Sequence, residues 1–478
     1  MTASSFDAII PMACASIGAL VIMLAEAFRG KGERMPFGIL GLIALAASGF
    51  SIVALWGHNA SGFGVLAADN FGLFVSALAV VAGAFTVAFG TQVVGRDDLP
   101  AAEFYALVLF GVAGMMMMAM ATDLLVLFIG LEVMSLAVYV LTGLRRNVMA
   151  SVEGAFKYFL LGGFASAFFL YGVAFTFGVT GSTHLDKVGQ FLAAQSMADN
   201  PMVLLALGLL AVGFAFKISA VPFHMWTPDA YEGAPAVVTG FMSTGVKAAA
   251  FAGFMRVFLA AFEPFSADWA PLLQWLAVAT MIVGTVVGVA QSNLKRMLAY
   301  SSIAHAGYLL VGMVAANQIG KAAILFYLAT YVVTNLAAFG AIALLGTRER
   351  ANDELGDYAG LWYSHPAVAG LLTVALLSLG GLPPTAGFIG KWYVFSAAVS
   401  AGYYGLAIIG MLTSVISVFF YMRVVVMMYM TERSSAVPPP VAAPGLVALA
   451  VAVAMIFYLG VLPTGLLDLA ASSIGTIF

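Results

Sequence analysis

Residues 216–235 read Phe216-Lys217-Ile218-Ser219-Ala220-Val221-Pro222-Phe223-His224-Met225-Trp226-Thr227-Pro228-Asp229-Ala230-Tyr231-Glu232-Gly233-Ala234-Pro235. A lysine, a histidine and two prolines here interrupt an apolar run that extends over residues 202–232. An interior proline removes a backbone hydrogen bond and clashes with the preceding turn, so the run predicts a discontinuous helix. The rest of the chain is overwhelmingly apolar. Of its 478 residues 63% are hydrophobic and 9% charged, and the mean hydropathy is +1.05. Soluble domains are about 45–50% apolar and about 25% charged, so 19 basic and 22 acidic residues cannot cover this chain with a water-facing surface. The composition predicts an all-α, polytopic integral membrane protein without a soluble domain. Inside a bilayer, backbone freed by a break is tolerated only within protein or beside a wet cavity.

A helix crossing the hydrocarbon core needs roughly 20 apolar residues. Polar breaks divide the chain into fourteen spans: 8–28, 36–56, 70–92, 103–121, 123–144, 153–179, 202–232, 235–261, 270–291, 296–316, 321–346, 365–401, 404–430 and 444–463. The twelfth is a second discontinuous helix, interrupted by Gly380-Gly381 and Pro383-Pro384. Placing Arg29, Lys31 and Arg34 in the cytoplasm also places Arg96, Arg145, Arg146, Lys295, Arg296, Arg348, Arg350 and Arg433 there. Only Lys187 and Lys321 then fall in outer loops, as the positive-inside rule requires. Both termini are therefore expected on the non-cytoplasmic side. Met1 to Asp7 carries no basic residue, which predicts a retained first helix and no cleaved signal peptide.

A weak repeat runs through the middle of the chain. Asp123-Leu124-Leu125 matches Asn293-Leu294-Lys295, the segment from Phe156 matches that from Leu325, and Val221-Pro222 matches Leu382-Pro383, at offsets of 170, 169 and 161 residues. Chance similarity among apolar segments competes with this reading. Two five-helix units would have to insert in opposite directions, because five is odd. The expected organisation is a three-helix segment (1–102), a first repeat (103–261), a second, inverted repeat (270–430), and a linker stiffened by Pro438-Pro439-Pro440 before a last helix (431–478). A net charge of −3 offers no basic face for nucleic acid. The single cysteine, Cys14, can form neither an internal disulfide nor an iron–sulfur ligand set, so no cofactor is expected in this chain.

Six basic residues fall within the spans: Lys157, Lys217, Lys247, Lys391, Arg256 and Arg423. The two arginines lie near span ends and are expected to snorkel. The deeper four are all lysines. A lysine at mid-bilayer costs roughly 2.5–3.5 kcal/mol, and unlike arginine it can release its proton when desolvated. Glu132, near the middle of span five, is the one equally deep carboxylate and is expected to pair with Lys217. His224 and His305 lie within spans and can relay protons through imidazole. Together these residues predict a path from the cytoplasm past His224 and Lys217, through Lys247 and His305, and out by Lys391. Two readings stand for Lys157, His224 and His305: a part in that path, or an ordinary packing and hydrogen-bonding role. His58, His184 and His365 read as solvated. Met115 to Met118 read as lipid-facing or packing residues, and Gly162-Gly163 as a site of close helix approach.

The ordered lysine, proline, histidine and Trp226-Thr227-Pro228-Asp229 of this stretch resemble the broken-helix motif of the antiporter-like membrane subunits of respiratory complex I, a family shared with multisubunit cation/proton antiporters. The Tyr231–Pro235 ending and a lysine at position 391 fit one branch of that family. The resemblance covers nearly the whole chain. It implies that Glu132 and Lys217 form an input ion pair, with Lys157 near it. It further implies that Lys247 carries the proton centrally, His305 bridges the halves and Lys391 gates the exit. It also implies a bacterial plasma (inner) membrane location, and other membrane subunits of complex I as partners, alongside the lipid bilayer. NADH, FMN, iron–sulfur clusters and quinone would then be held by those partner subunits. The function so implied is proton translocation within an NADH:quinone oxidoreductase, a translocase without a redox centre of its own. A monovalent cation/proton antiporter subunit and a structural spacer without a proton path are the alternatives.

Overall fold

The computed structural model describes residues 6–30, 35–194, 200–346, 353–432 and 441–478. Lys31, Arg34, Arg348, Arg350, Arg433 and the Pro438-Pro439-Pro440 linker lie outside the described residues. Helices α1 (Ile10–Ala27) and α2 (Phe37–Leu55) lead into a small antiparallel hairpin, β1 (Ala60–Gly62) with β2 (Leu66–Ala68). There follow α3 (Asn70–Arg96), α4 (Ala101–Met120), α5 (Leu124–Thr142), α6 (Met149–Thr180), the short α7 (Leu185–Ala194), α8 (Pro201–Ile218) and α9 (Thr227–Gly233). Next, α10 (Ala236–Phe241) and α11 (Lys247–Met255) belong to one continuous helix, Ala236–Ala261. The second half holds α12 (Ser266–Val289), α13 (Leu294–Ala315), α14 (Gln318–Leu345), α15 (Leu361–Ser364), α16 (Pro366–Gly380), α17 (Ala386–Ser400) and α18 (Tyr404–Met430). The chain closes with α19 (Ala443–Val461) and α20 (Thr464–Ile474).

Among the described residues, 13 helices are long and apolar enough to cross a membrane, so this is a multi-pass membrane protein. The remaining predicted crossing is split between α16 and α17, each of 15 residues. Both predicted breaks are present and are built alike. Helix α8 ends on Ser219 at φ +65°, with Ala220 N–H donating to Ala215 O at 2.8 Å. Helix α16 ends on Gly381 at φ +78°, with Leu382 N–H donating to Leu377 O at 3.1 Å. A left-handed residue that returns a hydrogen bond to the last turn is the common way to stop a helix, and the prolines that follow prevent its resumption. Pro228, expected to act as a breaker, instead starts α9, where a missing N–H is harmless.

The repeat is visible in the hydrogen bonds. At one end of the bundle Leu124 N–H donates to Thr183 O and Leu185 N–H to Thr122 O, while at the other Leu294 N–H donates to Asp353 O and Leu355 N–H to Ser292 O. Every residue in the second set lies 170 positions after its counterpart, and Asp123 and Asn293 cap the two helices that follow. The same joint therefore occurs on opposite faces, as inverted repeats require. The offset at the breaks is 162, one residue more than the sequence match gave, because Ser219 corresponds to Gly381. Close helix crossings repeat as well. A Cβ on Gly114 would lie 2.5 Å from Met134 N, and one on Gly284 would lie 2.6 Å from Ala304 N.

The continuous helix through α10 and α11, together with α13 and α14, is buried along almost its whole length, and the other crossings surround these three. Met115, Met116 and Met118 pack inward rather than facing lipid. Arg256 corrects the expectation of snorkelling. It is buried and donates two hydrogen bonds to Asp69, at 2.8 and 2.9 Å, and a third to Ala119 O at 2.7 Å. Asp69 also caps α3 through Gly72 N–H, so one carboxylate fixes both helix ends.

Two stability measurements follow from this packing. Gly284→Val is expected to destabilise the protein by about 1–3 kcal/mol through overpacking. Thermal unfolding in detergent checks it against Gly370→Val, where a Cβ meets open space and no change is expected. Arg256→Met strands a buried carboxylate and should cost about 3–5 kcal/mol, most of which the double variant Asp69→Asn, Arg256→Met should recover.

Candidate functional site

Lys217 sits in the last turn of α8, immediately before the break. Its Nζ donates to Tyr139 Oη of α5 at 3.1 Å and lies 5.0 Å from the centre of the Tyr139 ring, 5.5 Å from Tyr158 and 5.7 Å from Phe216. The buried amine is thus held mainly by aromatic faces. The expected contact with Glu132 is absent. Glu132 is half-buried on α5 and accepts a hydrogen bond from Ser166 of α6, with no ion pair within 4.0 Å joining it to Lys217 among the described residues. Tyr139 lies seven residues, about two turns, beyond Glu132 on the same helix face and is the group that reaches Lys217. Gly162 makes that approach possible, since a Cβ there would lie 1.9 Å from Tyr139 Oη; Gly163 faces open space.

Lys247 follows a π-helical turn, Met242–Val246, which has one residue more per turn than its surroundings and re-aims the side chain after it. The hydroxyls of Ser243 and Thr244 donate to Gly240 O within this turn, at 3.0 and 2.7 Å. Lys247 Nζ donates to Ser302 O at 2.5 Å and Ser302 Oγ at 2.6 Å on α13. The same hydroxyl contacts Tyr231 Oη at 3.1 Å and accepts from Tyr331 Oη at 2.8 Å, so Ser302 gathers three elements around one amine. One turn along α13, His305 Nδ1 lies 2.6 Å from Tyr327 Oη and Nε2 lies 3.3 Å from Tyr421 Oη, which also bonds Ser301. A cavity of about 10 Å³ beside His305, Tyr327 and Tyr331 extends to Ser378 and Leu379. That is about the volume one water needs.

Lys391, on α17, reaches back across the second break. It donates to Leu379 O at 2.9 Å, Gly380 O at 3.0 Å and Ser414 Oγ at 2.8 Å, and lies 5.2 Å from the Tyr308 ring. The last carbonyls of a helix lack intrahelical partners and carry the negative end of its dipole. Lys391 therefore occupies a cation site made by backbone. In the first repeat Trp226 Nε1 donates to Phe216 O at 3.1 Å, the carbonyl equivalent to that of Ser378, one residue before those that Lys391 uses.

His224 lies in the first break, half-buried, with Nδ1 shielded and without a partner among the described residues. Lys157 is 42% exposed and pairs with Glu153 at 2.6 Å and Asp229 at 2.7 Å, which places it in an ionic cluster at the basic end of the bundle. Lys295, expected in a solvated loop, is buried and pairs with Asp353 at 2.9 Å. Its helix begins earlier than the hydropathy suggested. His184 and His365 are half-buried rather than solvated, and His58 is exposed.

The polar side chains around and between the lysines include residues that were not singled out as site residues from the sequence: Tyr139, Tyr231, Ser302, Tyr308, Tyr327, Tyr331, Ser414 and Tyr421. A signal for some of them was available. Ser301, His305 and Tyr308 form an i, i+4, i+7 stripe, and Tyr327 and Tyr331 stand one turn apart, so polar faces run along otherwise apolar helices. Among the described residues no group of three or more His, Cys, Asp or Glu side chains is arranged to hold a metal.

Residues 121–417 match the family described as NADH:quinone oxidoreductase/Mrp antiporter, TM. The NADH-quinone oxidoreductase subunit N of Trichlorobacter lovleyi is 43% identical over 472 residues, 98% of this chain and 97% of the relative. Subunit N 1 of Sorangium cellulosum is 42% identical over 99% of both chains. A chain in the structure of respiratory complex I from Thermus thermophilus with bound aureothin superposes with a TM-score of 0.83 at 35% identity, covering 96% of this chain and 99% of that one. A chain of the Mrp complex from Dietzia shares the fold, with a TM-score of 0.83 at 21% identity over 100% of this chain and 98% of that one. This chain accordingly belongs to the NADH:quinone oxidoreductase/Mrp antiporter transmembrane family, in its subunit N branch.

Proposed function

We propose that this chain is the subunit N of an NADH-quinone oxidoreductase and translocates protons from the cytoplasm outward, driven by redox chemistry in partner subunits. The proposal rests on one observation above the others: Lys247 and Lys391 are buried and, among the described residues, bonded only to hydroxyls and backbone carbonyls. A hydroxyl can accept from an ammonium and donate to a neutral amine, so such a site serves both protonation states. A proton taken up past His224 reaches Lys217 and then Lys247. It continues through Ser302 and Tyr331 to His305, and on through Tyr327 and Tyr421 toward Lys391 and the outer face. Glu132 acts on Lys217 from a distance, across Tyr139, and Lys157 steadies the uptake end. Residues 103–261 make the uptake half and 270–430 the release half, flanked by 1–102 and 431–478, with both termini outside the cytoplasm of a bacterial inner membrane. NADH, FMN, iron–sulfur clusters and quinone belong to the partner subunits in this reading.

Proton uptake into vesicles by the reconstituted oxidoreductase tests the path. Lys217→Ala and Lys247→Ala should each lower pumping by about tenfold or more. Lys247→Arg should fail as well, since a guanidinium keeps its proton throughout. Unchanged pumping in both alanine variants refutes the path; lost stability with normal pumping per assembled complex favours a spacer. Sodium-dependent exchange by a preparation lacking flavin and iron–sulfur proteins favours the antiporter.

Tyr331→Phe removes one hydroxyl and little else. It should slow pumping by about threefold to tenfold while leaving the protein folded, because a relay loses a link where packing is conserved. Pumping rates against an unaltered melting temperature check this.

A further inference from the structure

Lys295 and Arg296 occupy the first turn of α13, where exposed N–H groups and the helix dipole favour anions. Two adjacent cations there are locally unfavourable, and what they grip explains their presence. Arg296 Nη1 donates to Asp229 Oδ1 and Glu232 Oε2 of α9, both at 2.7 Å. Lys295 Nζ donates to the carbonyls of Glu232 and Ala234, at 2.6 and 3.0 Å, where α9 ends. Neighbouring residues of α13 thus hold the seven-residue half-helix by its side chains and by its backbone. Asp229 also accepts from Lys157 of α6, which pairs in turn with Glu153. The chain Glu153–Lys157–Asp229–Arg296–Glu232 therefore ties α6, α9 and α13 together.

Each anchor lies close in sequence to a group that touches a buried lysine or its acceptor. Tyr158, next to Lys157, stacks on Trp226 at 3.8 Å and faces Lys217. Tyr231, between Asp229 and Glu232, reaches Ser302. Ser302 itself, six residues beyond Arg296, holds Lys247. We infer that Arg296 is a positioning residue: bonded to Asp229, it latches the broken helix to α13, so that the surroundings of Lys217 and Lys247 change together.

The two cations differ in how easily they let go. Lys295 is 1% exposed, so separating it from its partners would leave a bare buried charge, and it works as a hinge. Arg296 and Glu232 are 31% and 34% exposed, and half-exposed pairs are individually weak, so water can take over their contacts at small cost. Opening the Arg296 side would free α9 to tilt about Lys295, moving Tyr231 against Ser302 and loosening the Tyr158–Trp226 stack beside Lys217. Coupling between two sites requires such a two-state element that both can bias.

This inference rests on the proton-translocation reading and has its own test. The readout is protons pumped per NADH oxidised by the reconstituted oxidoreductase, a ratio that does not depend on the amount assembled. Arg296→Gln should lower it by about threefold or more, and Arg296→Lys, which keeps a bridging cation, should restore most of it. Glu232→Gln combined with Arg296→Gln should be no worse than Arg296→Gln alone, because both weaken one latch. A normal ratio in Arg296→Gln, or losses that multiply in the double variant, overturns the latch. If Arg296→Gln does not assemble, Glu232→Gln, which removes one of the two negative charges that hold Arg296, carries the same test: a lowered ratio supports the latch and an unchanged one overturns it. Lys247→Ala in parallel separates the two claims. Lost pumping there with a normal ratio in Arg296→Gln sinks only the latch, whereas retained pumping sinks the path on which it depends.

Discussion

An amine buried in a bilayer must find hydrogen-bond acceptors within the protein, and the architecture can be understood as a means of supplying them. Regular helices consume their own carbonyls, so a bundle of unbroken helices has few to offer. Here the acceptors come from interrupted backbone and from hydroxyls. Lys391 uses the carbonyls left at the end of α16, and Lys247 uses Ser302 after a π-helical turn has re-aimed it. Lys217 has the least, one tyrosine hydroxyl and three aromatic faces.

The inverted repeat makes such sites in pairs and then differentiates them. Equivalent joints fix α5 and α13 at opposite ends, and equivalent left-handed caps end α8 and α16. What fills the two breaks differs. In the first repeat an indole N–H joins the cap bond at Phe216 O, and in the second a lysine takes the carbonyls of Leu379 and Gly380. One scaffold thus provides a break with a neutral donor near one face and a break with an ionisable donor near the other. The buried helices between them carry the tyrosines and serines that connect the two.

Charge is arranged by the same economy of acceptors. Arg256, which cannot be left unpaired in the interior, meets both oxygens of Asp69 through Nη2 and donates from Nε to the carbonyl of Ala119. At the basic end the ionic cluster is partly wet, and its pairs are correspondingly cheap to rearrange. A firm pair thus sits at one end and a readily rearranged cluster at the other.

Hydropathy and proline placement are local properties, and from them alone followed the membrane environment, the crossings, the two breaks and three of the buried amines, although Lys157, expected to be as deep, is 42% exposed. Lys217, Lys247 and Lys391 were legible for that reason, and so was His305. Partners were not, because they come from helices far away in the chain: Lys247 meets Ser302 55 residues on, and Lys217 meets Tyr139 78 residues back. Depth and membership of one repeat suggested Glu132 for Lys217, but the direction in which each helix turns its faces brought Tyr139 to Lys217 and Ser166 to Glu132. Lys295 and Arg256 seemed to be at the margins because only packing shows that a helix end is covered. The sequence by itself determined that amines would be sunk among apolar helices, since transfer energy adds up along the chain. The tertiary structure decided what each amine holds, since a hydrogen bond depends on a few tenths of an ångström between groups that no local pattern relates.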